Sequence, residues 1–568
     1  MQIRRIQGAD GNWIEEEERI IVEAIRYYTA LFTKEDDPKD FEILNHLPRM
    51  IFEDDNLWFE AKPTKEEVKA VVFQLNGESA GGPDGFNGVF IKFAGKLLER
   101  ILIHGGLVSK LSDIISLNQS GFVKDRSIVE NILLTQEIVS DIRLRTKDAN
   151  VIIKLDMAKA YDRVSWLFLT KVFRQMGFSK KIIDMVYRIV NNNWYSMLVN
   201  GQQQGFFQSP RGVKQGDSLS PTLFILAAEV LSRSLNALHQ KVQFRVWIME
   251  ILKNYEQTSG QNINMDKSIV YMHNNVTGDI SITVEIVTGI NRKEFPFMYL
   301  GCPIYHCRRK KKFLNALILK IMNRLQGWKG KMLSFGGRAI LTKHVLQSMP
   351  IHMLSAVNPS IRIIRQIHKM FAQFFWSNTI GGTSRHWVAW NKWCVPTPER
   401  GLGFRSLHDV SLALFYKLWW NFKTKPTLWS AYMTNKYCRK EHAIVVNPGD
   451  TYDERIQNVK EVVVEERWNR EKLIEVLTEG IIEHIVENIT PAREERDTDR
   501  PWWIPDTRGE FSIKSTWDFI RLRGPQVDSY RFVWIKGLPF KISFFLWRCW
   551  KYKIPTDDVL KDEYQFGV

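Results

Sequence analysis

Apolar and polar positions follow two different periods along the 568-residue chain. From Ile14 to Phe32 apolar residues recur at helical spacing and predict a helix, followed by a polar, acidic loop. Pro63-Thr64-Lys65-Glu66-Glu67 has the form of a helix start, with Thr64 as N-cap and Glu67 three residues on. That helix is expected to end before Gly77, ahead of the dense turn signal from Ser79 to Phe86. Ile91 to Ile115 reads as a short helical bridge. Val151-Ile152-Ile153-Lys154-Leu155 is a short apolar run that predicts a buried strand ending at Asp156. Helices follow at about Ser165 to Met176 and Ser179 to Val190, then strands from Tyr195 to Asn200 and Gln203 to Ser209 around Asn200-Gly201. Further helices are expected from Pro221 to Leu238 and from about Val246 to Gln257. From Lys311 to Lys423 the pattern is mostly helical, with breaks at Gly and Pro. Residues 441–500 are charged and polar, with an amphipathic helix from about Arg470 to Ile489, and a compact aromatic segment begins at Phe511. No internal repeat is evident.

Composition adds two constraints. Hydrophobic residues at 44% and charged residues at 25% exclude wholesale disorder. The length suggests about three to five domains. The net charge is 79 − 63 = +16, and it is not evenly spread. Between Glu294 and Glu399 there is no acidic residue; Phe295 to Pro398 holds 104 residues and 16 Lys or Arg. The other 464 residues hold 63 basic and 63 acidic groups, so one segment carries the whole excess. A positive surface of this kind is the expected footprint of a polyanion, although a solvated basic face has the same composition.

No apolar stretch is long enough to predict a membrane span, and Met1 to Gln7 lacks the apolar core of a secretory signal. Cys302, Cys307, Cys394, Cys438 and Cys549 are odd in number and contain no Cys-x-x-Cys pair. They argue against a disulfide framework or a complete zinc ribbon and favour a reducing compartment, nucleus or cytoplasm.

Two clusters carry candidate chemistry. Asp156 stands at a strand end and is followed by Met157-Ala158-Lys159-Ala160-Tyr161-Asp162. A carboxylate so placed suits a hard ion such as Mg²⁺, but alone it is weak evidence, because many strand-end Asp residues simply cap turns. The second cluster, Arg211-Gly212-Val213-Lys214-Gln215-Gly216-Asp217, precedes a helix start at Pro221. Its glycines allow close approach of a ligand and its basic and amide groups suit phosphate or base, while a plain loop with a helix cap also fits.

Taken together and in order, the motifs resemble the reverse transcriptase of plant LINE-type non-LTR retrotransposons. Gly82-Pro83-Asp84-Gly85-Phe86 and Asn118-Gln119-Ser120-Gly121-Phe122 with Arg126-Ser127 look like its fingers motifs. Ser259-Gly260-Gln261 through Asp266-Lys267-Ser268 and Tyr299-Leu300-Gly301 look like its later palm and primer-grip segments. Gly327-Trp328, Leu333-Ser334 and Gly337-Arg338 resemble its thumb helices, and Phe511 to Lys561 its zinc-binding segment.

The resemblance implies an α+β fold: a right-hand polymerase core of fingers, palm and thumb, followed by a mostly helical C-terminal region. It places linker helices at 1–60, shortened fingers at 61–145, palm at 146–305, thumb at 306–360, a helical connection at 361–440, a charged linker at 441–510 and a truncated zinc-binding segment at 511–568. It implies Asp156 as first catalytic carboxylate and Mg²⁺ ligand, with Tyr161, Gln215, Gly216 and Lys267 at the nucleotide. Arg308, Arg309, Lys310, Lys311, Lys312, Lys329, Lys331 and Arg338 would meet nucleic acid. RNA template, DNA primer and deoxynucleotides are the implied partners, with no membrane and an unspecified oligomeric state. The run Arg308 to Lys312 also fits a nuclear localisation patch.

Three departures change the expectation. The family's second pair of carboxylates, in a Phe/Tyr-x-Asp-Asp hairpin, is missing; no Asp occurs between Asp217 and Asp266. The fingers lack an Arg-Pro-Ile-Ser segment between Phe86 and Ser120. The sequence also reads as starting in the linker after an endonuclease domain and as carrying no downstream ribonuclease H domain. Two Mg²⁺ ions about 3.5–4 Å apart need several carboxylates. The sequence therefore predicts little or no polymerase activity, with a non-catalytic RNA- or DNA-binding remnant or a decayed product as alternatives.

Overall fold

The computed structural model describes residues 3–8, 10–31, 40–61, 98–142, 150–191, 194–217, 219–238, 244–273, 275–305, 314–329, 333–376, 388–399, 401–438, 463–464, 467–474, 479–488, 501–521, 523–524, 532–534 and 538–550. The expected helix start at Pro63, the Gly82 to Phe86 turn, and Arg308, Arg309, Lys310, Lys311, Lys312 and Lys331 lie outside them. The chain mixes helices with short strands and divides into two compact units, Met1–Lys310 and Lys311–Val568.

The first unit opens with the ribbon β1 (Ile6–Gln7) and β2 (Trp13–Ile14), then α1 (Glu17–Leu31), α2 (Glu53–Glu60), α3 (Leu98–Ile114) and α4 (Ile128–Asp141). Strands β3 (Val151–Lys154) and β4 (Met157–Ala158) precede helices α5 (Trp166–Met176) and α6 (Lys180–Asn191). The predicted helix at Ser165 starts one residue later because Ser165 is the cap, its hydroxyl accepting from the Phe168 N–H. The hairpin β5 (Trp194–Val199) and β6 (Gln202–Gln208) turns at Asn200-Gly201, with φ of 49° and 88°. Positive φ at both central residues is what a two-residue hairpin turn demands.

Helices α7 (Ser220–Ala237) and α8 (Phe244–Ser259) follow one another, joined by residues 238–243. The core lies among α5, α6 and α7. Phe168, Leu169, Val172, Phe173 and Met176 fall on one face of α5, Ile182, Ile183, Val186 and Val190 on one face of α6, and all are buried. Leu223, Ile225, Leu226 and Val230 of α7 complete it. Full burial of one side chain such as Phe168 contributes about 1.5–3 kcal/mol.

Strands β7 (Asn262–Ile263) and β8 (Ile269–Met272) return to the beginning of this region. β8 pairs antiparallel with β3, from Val151↔Met272 to Lys154↔Ile269, and β7 pairs with β4 as Met157↔Ile263 and Ala158↔Asn262. Helix α9 (Gly278–Thr288) and the hairpin β9 (Phe297–Tyr299) and β10 (Cys302–Ile304) close the unit. The sequence pattern does not predict β4, β7, β9 or β10, because two or three residues hold too little periodicity to register.

The second unit is mainly helical: α10 (Asn315–Lys329), α11 (Phe335–Leu341), α12 (Ile351–Ala356), α13 (Ile361–Trp376), α14 (Leu407–Thr424) and α15 (Leu428–Tyr437). A small ribbon of β11 (Val463–Val464) and β12 (Arg467–Trp468) precedes α16 (Arg470–Ile474) and α17 (Glu479–Asn488), both within the helix predicted from about Arg470 to Ile489, of which residues 475–478 lie outside the described ones. Helices α18 (Ile513–Ile520) and α19 (Phe540–Trp550) follow. The core is aromatic. Phe375 meets Trp393 edge-on at 4.6 Å, and Trp393 meets Trp547 edge-on at 5.4 Å, the arrangement ring quadrupoles favour. Among the C-terminal tryptophans, Trp547 is fully buried, whereas Trp502 and Trp550 are 63% and 50% exposed.

Candidate nucleotide and nucleic-acid site

Three segments far apart in sequence converge in the first unit. Asp156 sits where the β3–β8 ladder gives way to the β4–β7 pair. Its backbone N–H donates to the Ser268 hydroxyl (3.0 Å), and its carbonyl accepts from the Asn264 N–H (2.7 Å). The half-buried Asp156 is thus fixed by backbone bonds, with its carboxylate left to other work. Lys267 is exposed beside Ser268, and its own N–H is held by Asn264. Ser268 enters the sequence reading only as part of a family motif, and its contact with Asp156, like that of Asn264, is not legible there because the partners lie more than a hundred residues apart.

Tyr161 stacks on Phe224 of α7, ring centroids 4.7 Å apart and planes 11° from parallel. Burial pushes its phenol above the usual range. The Tyr161 carbonyl accepts from the Val213 N–H (2.9 Å), and the Val164 carbonyl accepts from the Gly212 N–H (2.8 Å). The Trp166 indole donates to the Gly212 carbonyl at 2.7 Å. These bonds lay the 211–217 loop directly on the 161–166 turn. Gly212 has φ +86°, and a Cβ there would stand 2.5 Å from the Asp162 carbonyl oxygen. Only glycine permits that approach.

Gln215 is exposed and donates through Nε2 to Asp162 Oδ1 at 3.3 Å. Burial raises the Asp162 carboxyl, an effect that the Gln215 bond opposes. Burial and the nearby Asp162 push the Tyr195 phenol up to about 12. Gly216 is exposed with open space around its Cβ direction. Asp217 is engaged in the turn before α7: its Oδ1 accepts from the Leu219 N–H at 3.1 Å.

The structure therefore brings Asp156, Tyr161, Gln215, Gly216 and Lys267 into one connected framework. It does not assemble a metal cage around them. Among the described residues, no group of three His, Cys, Asp or Glu side chains stands ready to hold a metal ion. Asp162 and Asp217 are each committed to a loop contact, leaving Asp156 with too few donors for a pair of Mg²⁺ ions. The expected donor set for magnesium does not fit.

The basic residues divide as well. Lys329 ends α10. Arg338, expected on a nucleic-acid surface, is buried instead. Its Nε and Nη2 donate to the Leu333 carbonyl at 3.2 and 3.0 Å, and Nη1 donates to the Phe375 carbonyl at 3.1 Å. Helix α11 turns it inward, where those carbonyls need donors. Arg126 has a parallel role in the first unit. It donates to the carbonyls of Ser112, Ile115, Ser116 and Gln119, tying down the end of α3, while Ser127 caps α4.

The comparisons with known proteins agree with this framework. Residues 89–248 match the family described as reverse transcriptase (RNA-dependent DNA polymerase), and residues 511–565 match the family described as zinc-binding in reverse transcriptase. The second match contains one cysteine, Cys549, and no histidine. A tetrahedral zinc site needs four donors of that kind, so these residues do not fit the metal.

An Arabidopsis thaliana protein named for ribonuclease H is 34% identical over 136 residues, 24% of this chain and 22% of its own length. The uncharacterized 149 kDa protein of transposon TX1 from Xenopus laevis is 25% identical over 332 residues, 52% of this chain and 24% of its own. The Pol polyprotein of the type-1 retrotransposable element R2 from Popillia japonica is 31% identical over 106 residues, 19% of this chain and 17% of its own. The chain thus spans a quarter or less of the length of these relatives. It carries a reverse transcriptase domain over residues 89–248, which holds the 156–162 and 211–217 segments, and is similar to proteins of non-LTR retrotransposons, consistent with a LINE-type reverse transcriptase.

Proposed function

We propose that this chain is a catalytically impaired reverse transcriptase that retains nucleic-acid binding. The observation that carries the reading is the short sequence interval between the end of α7 at Ala237 and the start of α8 at Phe244. Only residues 238–243 join them, and no aspartate lies between Asp217 and Asp266. The family's second carboxylate pair belongs there by resemblance. Without it, Asp156 has no partner carboxylates with which to gather two divalent ions.

The remaining parts keep their inherited roles in this reading. Within a right-hand layout, residues 61–145 are the fingers, 146–305 the palm and 306–360 the thumb. Tyr161 presents its ring to the sugar of an incoming nucleotide, backed by Phe224, and Gln215 and Gly216 lie along the template base. Lys267 supplies a cation at the phosphates. Arg308 to Lys312, with Lys329 and Lys331, track the phosphates of an RNA template and its DNA primer, reading shape more than sequence. The nucleus or cytoplasm is the matching compartment. Among the described residues no helix is long and apolar enough to cross a membrane.

The test is primer extension on poly(rA)/oligo(dT) with Mg²⁺, beside an Asp156→Ala variant and a salt-titrated RNA-binding assay. The expected result is no extension above the variant, together with RNA binding that weakens as salt rises. Extension that disappears in Asp156→Ala would overturn the impairment. Loss of both activities in a folded chain would overturn retained binding.

A further inference from the structure

The first unit holds a cavity of about 560 Å³ that none of Asp156, Tyr161, Gln215, Gly216 or Lys267 lines. Its volume lies in the range of small-molecule sites. We propose that it is a separate binding site for a nucleoside monophosphate group, carried by a free nucleotide or by the 5′ end of an RNA strand.

Charge is the first reason. Three arginines line the cavity, Arg163, Arg174 and Arg211, against one acidic residue, Asp184. Arg163 is anchored through its Nε to the Gly260 carbonyl at 3.1 Å. Arg211 is buried in the loop that packs on the 161–166 turn, and Arg174 stands exposed in the last turn of α5. Two of the three are therefore held by the fold itself, which lowers the entropy lost on binding an anion. Arginine in such numbers favours phosphate, whose oxygens its planar fork can meet in pairs.

The aromatic wall is the second reason. Tyr187 of α6 lines the cavity and is 43% exposed, while the buried Trp166 meets it edge-on at 6.4 Å and fixes one side of its ring. An exposed ring beside a cluster of guanidinium groups suits a base attached to a phosphate, because every base offers a π-face. Inorganic phosphate would use only half of this arrangement.

Isothermal titration calorimetry on the full chain tests the site with 5′-AMP, adenosine and inorganic phosphate. 5′-AMP is expected to bind more tightly than either of the others. Arg174→Gln should weaken 5′-AMP about tenfold, the loss of one charge-assisted contact. Tyr187→Ala should weaken 5′-AMP by a similar factor and leave inorganic phosphate unchanged. Both side chains are exposed, so circular dichroism melting should show an unaltered fold. Competition by 5′-phosphorylated RNA, but not by its 5′-hydroxyl counterpart, identifies a strand end as the occupant. Competition by mononucleotides alone identifies a free nucleotide. The proposal is overturned if 5′-AMP binds no better than adenosine, or if both variants bind 5′-AMP like the unmodified chain. Primer extension and salt-sensitive RNA binding are read separately, so failure here leaves the proposed function standing.

Discussion

At Gly212 the whole contact between the 211–217 loop and the 161–166 turn rests on a missing side chain. A methyl there meets backbone, which cannot rotate away, and φ of +86° is strained for any other residue. Gly212→Ala is expected to cost about 3 kcal/mol of stability. Gly216 shares the positive φ, at +92°, but nothing stands near its Cβ direction. Gly216→Ala should cost only about 1 kcal/mol. Urea denaturation of both variants checks the difference; equal losses would mean that backbone strain alone, and not the close approach, governs the loop. Both glycines were visible in the sequence as candidates for close approach to a ligand. The structure shows that Gly212 instead admits the protein's own backbone.

Among the elements, the β3–β8 and β4–β7 pairs and the α18 segment illustrate stabilisation by long-range pairing. The ribbon joins residues 151–158 to 262–272 and holds Asp156 in place at their junction. In the second unit, Arg521, which follows α18, donates to both Glu399 carboxylate oxygens at 2.6 and 2.7 Å, and the Gly524 N–H adds a third bond at 2.8 Å. The Arg521 hydrogen bonds chiefly hold the Glu399 carboxyl below the usual carboxylate range, against the opposing effect of burial. A carboxyl lowered on folding stabilises the native state above its unfolded value. That contribution is lost as pH falls through the folded value. Urea midpoints measured from about pH 7 to about pH 3 should therefore fall less steeply in Glu399→Gln than in the unmodified chain. Identical pH profiles would show that this pair does not govern acid sensitivity.

For the molecule as a whole, charge separates from the carboxylate-bearing region. The acid-free run from Phe295 to Pro398 carries the net excess, and most of it belongs to the second unit. A chain that binds nucleic acid through this run should show affinity that falls steeply with salt. Replacing all five basic residues from Arg308 to Lys312 by glutamine should reduce the slope of log affinity against log salt by as much as about 3.5, at about 0.7 per phosphate contact. An unchanged slope in filter binding would place the contacts elsewhere. Arg338 would be a poor choice for the same experiment, since its substitution leaves buried carbonyls without their donors.

Much of this was legible in the chain itself. The apolar faces of α5 and α6, the Asn-Gly turn, the segregated charge and the missing aspartates are all properties of neighbouring residues or of composition. Local spacing encodes them directly, because one helical turn or one tight turn spans only a few positions. What the tertiary structure decided is which distant pieces meet. It pairs β3 with β8, seats Gly212 against Asp162, draws Arg338 inside and gathers three arginines and Tyr187 around one cavity. Such pairings involve residues tens to hundreds of positions apart and are selected by burial and hydrogen-bond satisfaction over the whole fold. No local period records them, so the residue types were readable in advance and their partners were not.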